Sequence, residues 1–280
     1  MTLNEIIMSL EIGIIYGIVA IGIYLTFRII DFPDLTCDGS FVLGAAVSSI
    51  MIKSGFDPWL SLIAAIFAGG VAGCITSILY TKFQVTNLLS GILVSFMLYS
   101  VNLRIMDGIP NITLINDATI FFESPIVALT IIILSICAIV TYLLMTDFGL
   151  ALRSIGQNKR LAQNSGVNFK LMVIIGLVFS NAIIALGGAL FSQHQGFADV
   201  GSGIGTVIVG LASVMIGERV MSSQSILVQT ISCLIGSIIY RLFISFALYS
   251  DSLGLATADL NLLTGLMVIA IVYLSKRRAC

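Results

Sequence analysis

Residues 31–40 read DFPDLTCDGS, placing Asp34, Thr36, Asp38 and Ser40 close together in a chain that is otherwise mostly apolar. Pro33 forbids a regular helix there, and the Asp and Thr residues ahead of Gly39 suit capping of a short helix that follows, at the boundary of membrane and cytoplasm. The alternative is that these four side chains shape or gate the inner end of a transport pathway. Gly39, Gly44, Ala45 and Ala46 would let helices pack closely beside them. Groups able to relay protons or couple ions are few: Glu11 near one end of the first apolar segment, Arg104, Arg241 and the sole histidine, His194. Each reads as snorkelling or facing water rather than coupling an ion. No G-x-x-x-x-G-K-[ST] phosphate loop, nucleophile–base pair or metal-spaced cluster occurs. The cysteines at 37, 74, 137, 233 and 280 are scattered and read as small apolar fillers. The sequence therefore assigns no catalytic residue and no metal ligand, expects no cofactor within this chain, and gives no sign of nucleic-acid binding.

A second polar stretch lies in the middle of the chain. Residues 146–170, TDFGLALRSIGQNKRLAQNSGVNFK, hold four of the thirteen Lys and Arg residues between long apolar runs. Phe148, Leu152, Ile155 and Ala162 recur at helical spacing on one face, and Arg153, Gln157 and Arg160 decorate the others. Asp147 falls in the N-cap region and Gly166 is a plausible stop. Such a segment either rests on anionic lipid or plugs into a cytoplasmic partner.

The elements that must position these residues follow from composition. The chain is 58% hydrophobic and 10% charged, against about 25% charged for a soluble domain, with mean hydropathy +1.11. The expected fold is an all-α polytopic membrane protein of about eight or nine transmembrane segments. The apolar runs are 7–27, 39–52, 58–80, 87–106, 125–145, 170–191, 204–217, 226–249 and 260–275. Two of them, 39–52 and 204–217, are shorter than the roughly 20 residues an ordinary span needs. With the C-terminus cytoplasmic and nine crossings, the N-terminus lies outside. Arg28, Lys82, Arg153, Lys159, Arg160, Lys170, Arg219, Lys276, Arg277 and Arg278 then fall inside, and Lys53, Arg104 and Arg241 fall on or toward the outside. That is the bias of the positive-inside rule. The start, MTLNEIIMSLEIG, lacks the basic region of a cleaved signal peptide, so Met1 onward is read as mature.

The chain also repeats itself. NLLSGILVSFMLYS (87–100) aligns with NLLTGLMVIAIVYL (261–274), and GSFVLGAAVSSI (39–50) with GTVIVGLASVMI (205–216). The alignment keeps Gly39 with Gly205, Gly44 with Gly210 and Asn87 with Asn261. The two Asn residues are either helix caps or polar groups of the pathway. In the expected topology 87–106 runs outward and 260–275 inward, so the copies are inverted, with halves near 7–106 and 170–275 in one domain, 1–280. Paired short elements in inverted copies point to a translocation pathway.

The middle segment carries a family resemblance. Permeases of the branched-chain amino acid type of ABC importer have a pattern close to T-x-x-G-x-x-x-R-A-x-G-x-N-x-x-x-A-x-x-x-G-[IV]-[ND]. This sequence matches it at Thr146, Gly149, Arg153, Gly156, Asn158, Ala162, Gly166, Val167 and Asn168, and departs at Ser154. DFPDLTCDGSFVLGAAV (31–47) resembles the branch paired with binding proteins for tryptophan or tyrosine uptake, and GLASVMIGERV (210–220) also resembles the family. The resemblance implies a permease subunit of an ATP-driven importer in a bacterial inner membrane, taking up an amino acid or similar small solute, with an aromatic one suggested by the branch. It implies a second permease subunit, expected to be an identical copy, a separate ATPase that binds Mg-ATP, and an extracytoplasmic binding protein meeting loops around 107–124 and 193–203. Segment 147–168 would dock on the ATPase, with Leu152 and Ile155 filling its groove and Arg153, Gln157, Asn158, Lys159 and Arg160 around them, ended by Gly166. An ion-coupled secondary carrier with inverted repeats would instead transport alone, and a non-transporting membrane scaffold would have no ATPase partner.

Overall fold

The computed structural model describes residues 3–115, 117–121, 125–221, 223, 225–248 and 262–269. The fold is helical, as the apolar runs require, because a chain in lipid must satisfy its backbone hydrogen bonds within itself. The helices are α1 Leu3–Tyr24, α2 Thr36–Lys53, α3 Pro58–Thr81, α4 Asn87–Ile105, α5 Pro125–Met145, α6 Asp147–Gln157, α7 Lys159–Asn164, α8 Phe169–Gln195, α9 Thr206–Val220 and α10 Ile226–Leu248. An eleventh, α11, covers 262–269. Seven described stretches are long and apolar enough to cross a membrane. The eight or nine expected also counted α2, which carries Thr36, Asp38, Ser40, Ser48 and Ser49 and is not among the seven, and 260–275, which is only partly described.

α1 is the central helix. It is apolar all round, as a helix enclosed by others must be, and 72% of its spanning window is buried, against 28% for α4. It packs against α5, α8, α9 and α10, and continues for one further turn, Leu25–Ile29, as a π-helix. α8 holds the other half together, packing on α2 and α3. Its contact with α2 is backbone on backbone: a methyl at Gly44 would collide with the Ala185 carbonyl, and one at Gly188 with that of Phe41.

Both short elements are longer than their apolar runs. Residues 39–52 become α2, 18 residues and about 27 Å. The run 204–217 becomes α9, preceded by a 3-10 turn at Val200–Gly203. Two three-residue strands, β1 Asn111–Thr113 and β2 Phe197–Asp199, pair antiparallel with Ile112 opposite Ala198. They tie the loop after α4 to the loop after α8, and they are the described exception to an all-helical chain.

Candidate functional site

The break before α2 lies deep in the helix bundle. Asp34, Thr36 and Ser40 are fully buried. One Asp34 oxygen accepts the Thr36 backbone N–H at 2.8 Å, capping α2, and the other accepts the side-chain amide of Asn181 at 2.8 Å. The Asn181 oxygen in turn accepts the Ser40 hydroxyl at 2.7 Å. Thr36 and Thr76 join hydroxyls at 2.7 Å. Asn181 stands near the midpoint of the 27-residue α8, so this network sits far from either helix end. That corrects the placement of the break at the membrane–cytoplasm boundary. The capping part of that reading holds for Asp34. Three of the four polar residues are consumed in closed bonds that join α2, α3 and α8.

Asp38 behaves differently. Its carboxylate reaches across to α9, accepting the N–H of Val207 at 2.9 Å and of Gly205 at 3.4 Å. The N-termini of α2 and α9 therefore meet head to head, and the aligned glycines Gly39 and Gly205 stand at their junction. An anionic side chain between two helix N-termini offsets the partial positive charge that both present there. Asp38 also lines a groove of about 490 Å³ with Leu35, Ile92, Ser95, Phe96 and Tyr99, of which Phe96 and Tyr99 are exposed. Asn87 is the first residue of α4, half-buried, its oxygen accepting the Leu88 N–H at 3.0 Å. Asn261 lies outside the described residues.

The middle segment is two helices, α6 and α7, with a break at Asn158. Thr146, rather than Asp147, caps α6, accepting the Gly149 N–H. Asn158 caps α7, accepting the Leu161 N–H at 3.1 Å. Gly166, at φ +85°, ends the segment in a left-handed conformation that suits glycine. Leu152 and Ile155 are 5% and 4% exposed and belong to the main apolar core. Their own chain occupies them, so they are not free to fill a partner's groove: the apolar stripe of this amphipathic segment faces the bundle. Leu150 and Leu161 stand out instead, at 53% and 65% exposure. Gln157, Asn158, Lys159 and Arg160 are exposed and Arg153 is half-buried. The Lys159 ammonium lies 4.0 Å from the centre of the Phe169 ring. Gly156 presses on the π-helical turn of α1, where a methyl would collide with the Ile29 carbonyl.

Two long-range polar pairs escaped the sequence. Arg28, on the π-helical turn, binds both carboxylate oxygens of Glu218 near the end of α9, at 2.6 and 2.5 Å. His194 and Glu11 meet at 2.8 Å, with side chains 6% and 11% exposed, and the Phe121 ring packs edge-on to the imidazole. Glu11 and His194 thus do not face water; each is buried against the other, and the hydrogen bond between them satisfies both. Among the described residues no group of three or more His, Cys, Asp or Glu side chains could hold a metal.

The whole length of this architecture has known counterparts. The family model for the permease component of branched-chain amino acid transport systems matches residues 6–272. The chain belongs to that permease family. It is 41% identical over 271 residues to the tyrosine transport system permease protein of Clostridioides difficile, covering 96% of this chain and 90% of that one. It is 36% identical to an uncharacterized protein of Rickettsia prowazekii, covering 95% and 96%. Its fold is similar to that of an ABC transporter described as of metal-chelate type, solved in an inward-facing conformation, with TM-score 0.55 and 16% identity over 97% of this chain and 85% of that one. The permease is accordingly a multi-pass membrane subunit of an ABC importer, not itself an enzyme: ATP hydrolysis belongs to a separate subunit, and a solute-binding protein is a further partner.

Proposed function

We propose that this permease carries an aromatic amino acid, tyrosine or a close analogue, inward across a bacterial inner membrane. The observation that carries the substrate class is the 41% identity, over nearly the full length, to a tyrosine transport system permease. The solute-binding protein hands the amino acid to the face bearing β1 and β2, and Mg-ATP is bound and hydrolysed on the ATPase at the opposite face. The basic residues Arg28, Lys82, Arg153, Lys159, Arg160, Lys170 and Arg219 support reading that face as cytoplasmic, with the N-terminus outside and the C-terminus inside.

The pathway runs along the Asp38 groove, and a second copy of the chain closes its open side. The halves 7–106 and 170–275 are inverted copies within one domain. Support comes from the packing: α1 on α10 corresponds to α8 on α3, α1 on α9 to α8 on α2, and α9 on α10 to α2 on α3. The meeting of α2 and α9 by their N-termini is what a two-fold axis in the membrane plane requires.

α6 and α7 dock on the ATPase through the exposed side chains Leu150, Gln157, Lys159, Arg160 and Leu161, with Leu152 and Ile155 holding α6 to the bundle. Arg160→Glu combined with Leu161→Glu is expected to abolish co-purification with the ATPase while membrane insertion and thermal stability stay at wild-type levels. Undiminished association of that variant would remove the docking role.

A further inference from the structure

A cavity of about 590 Å³ opens on the basic face where the ends of α1, α6, α9 and α10 converge. Its charged lining consists of Arg28, Arg153 and Glu218. Arg28 already holds both oxygens of Glu218, which leaves Arg153 as surplus positive charge. The Arg153 Nε is buried and finds no hydrogen-bond partner among the described residues. A guanidinium cannot shed its proton to relieve this, and a buried donor without an acceptor is costly. Gln229, also in the lining, is occupied, its oxygen taking the Tyr24 hydroxyl at 2.5 Å and its amide donating to the Ser223 carbonyl at 3.1 Å. The remaining wall consists of the exposed Gln157 and the apolar surface of Ile29, Ile226 and the Tyr24 ring.

The unpaired Arg153 donor gives this cavity a group suited to an anion. The planar fork of an arginine pairs most strongly with a carboxylate, and the volume lies within the range of small-ligand sites. We infer that the cavity binds a small organic carboxylate through Arg153, and that in the cell this ligand is the transported amino acid on the side to which it is released. The identity of the carboxylate and the side of the membrane rest on the function proposed above. The site has a consequence for turnover. Arg153 and Gln157 belong to α6, whereas the rest of the lining belongs to the ends of α1, α9 and α10. An occupant held by Arg153 joins α6 to those ends and stabilises the arrangement in which they converge. Accumulated substrate thereby slows the ATPase cycle.

The test uses the permease assembled with its ATPase in lipid nanodiscs, without the binding protein. Equilibrium binding and ATPase rate are measured with L-tyrosine, and with tyramine, which keeps the ring and amine but lacks the carboxylate. L-Tyrosine is expected to bind saturably and to lower the ATPase rate at least twofold, and tyramine to do neither. Arg153→Gln should weaken L-tyrosine binding tenfold or more. Ile226→Glu, which adds negative charge to the lining from α10 and outside the docking segment, should do the same should Arg153→Gln assemble poorly. Lys170→Gln, an exposed basic position outside the cavity, should leave binding unchanged. Equal binding of tyramine, or wild-type affinity in both cavity variants, overturns the site. Tyrosine import in the presence of the binding protein is measured in parallel. Import without binding at the cavity refutes this inference and leaves the proposed function standing. Import of a different amino acid instead of tyrosine refutes the substrate reading, and that amino acid then takes the place of tyrosine in the Arg153→Gln comparison.

Discussion

Asn181 is the residue on which the interior of the bundle turns. Its amide donates to the buried Asp34 carboxylate and its oxygen accepts from Ser40. Asn181→Leu keeps the volume and removes both partners, leaving the Asp34 carboxylate short of a donor in an apolar interior. The expected loss of stability is about 2–3 kcal/mol, read as a lowered midpoint of thermal unfolding in detergent, with Ser40→Ala costing about 1 kcal/mol. Equal midpoints for wild type and Asn181→Leu would show that the network contributes nothing. In the sequence Asn181 is a lone amide in a long apolar run. It carries no charge and so does not stand out as an ion-coupling group, although an isolated polar side chain in such a run already needs a partner. The partner itself, more than a hundred residues away, could not be read from spacing. The same holds for Glu11 with His194 and for Arg28 with Glu218.

At the level of elements, the bundle is assembled by glycine contacts that bring backbones together. Gly44 faces the Ala185 carbonyl, whereas a methyl at Gly70 would meet only the Val178 side chain at 3.5 Å. Gly44→Val must push α2 from α8 and is expected to cost about 1–3 kcal/mol. Gly70→Ala should stay near wild type. The comparison of unfolding midpoints checks the order, and a reversed order would contradict the close packing of α2 on α8. Periodicity gave the long helices nearly to the residue: 58–80 became Pro58–Thr81, and 125–145 became Pro125–Met145. It undercounted α2 at both ends because Thr36, Cys37, Asp38 and Lys53 are not uniformly apolar, yet their backbone hydrogen bonds continue the helix. For α6 the period was right and the face was assigned to the wrong neighbour. An amphipathic stripe says that one side is buried, and it cannot say whether the burying surface is the chain's own bundle or a partner's groove.

For the molecule as a whole, the decisive property is the gathering of basic residues at one face and the β1–β2 pair at the other. In a variant with native cysteines replaced by serine or alanine, a cysteine at Lys53 should react with a membrane-impermeant maleimide added to intact cells. A cysteine at Arg160 should react only after the membrane is opened. The reverse pattern would invert the topology and place α6 and α7 on the wrong side for an ATPase. Loss of charge at these positions is not expected to disturb folding, because Lys53 and Arg160 are both exposed and make at most screened, weak pairs.

Composition alone determined that this chain lives in a membrane, since a polypeptide with so few charges cannot cover a water-exposed surface. Periodicity and turn chemistry placed its helices, and the residue pattern of 146–168 placed it among permeases. Tertiary structure decided what those quantities cannot encode: that α2 and α9 meet by their N-termini at Asp38, that Leu152 and Ile155 turn inward, and that Arg153 lies beside a cavity with a donor unpaired among the described residues. The reason is physical. Local sequence fixes which groups must be buried or bonded, whereas the choice of partner depends on distances between segments that meet only after the helices have packed.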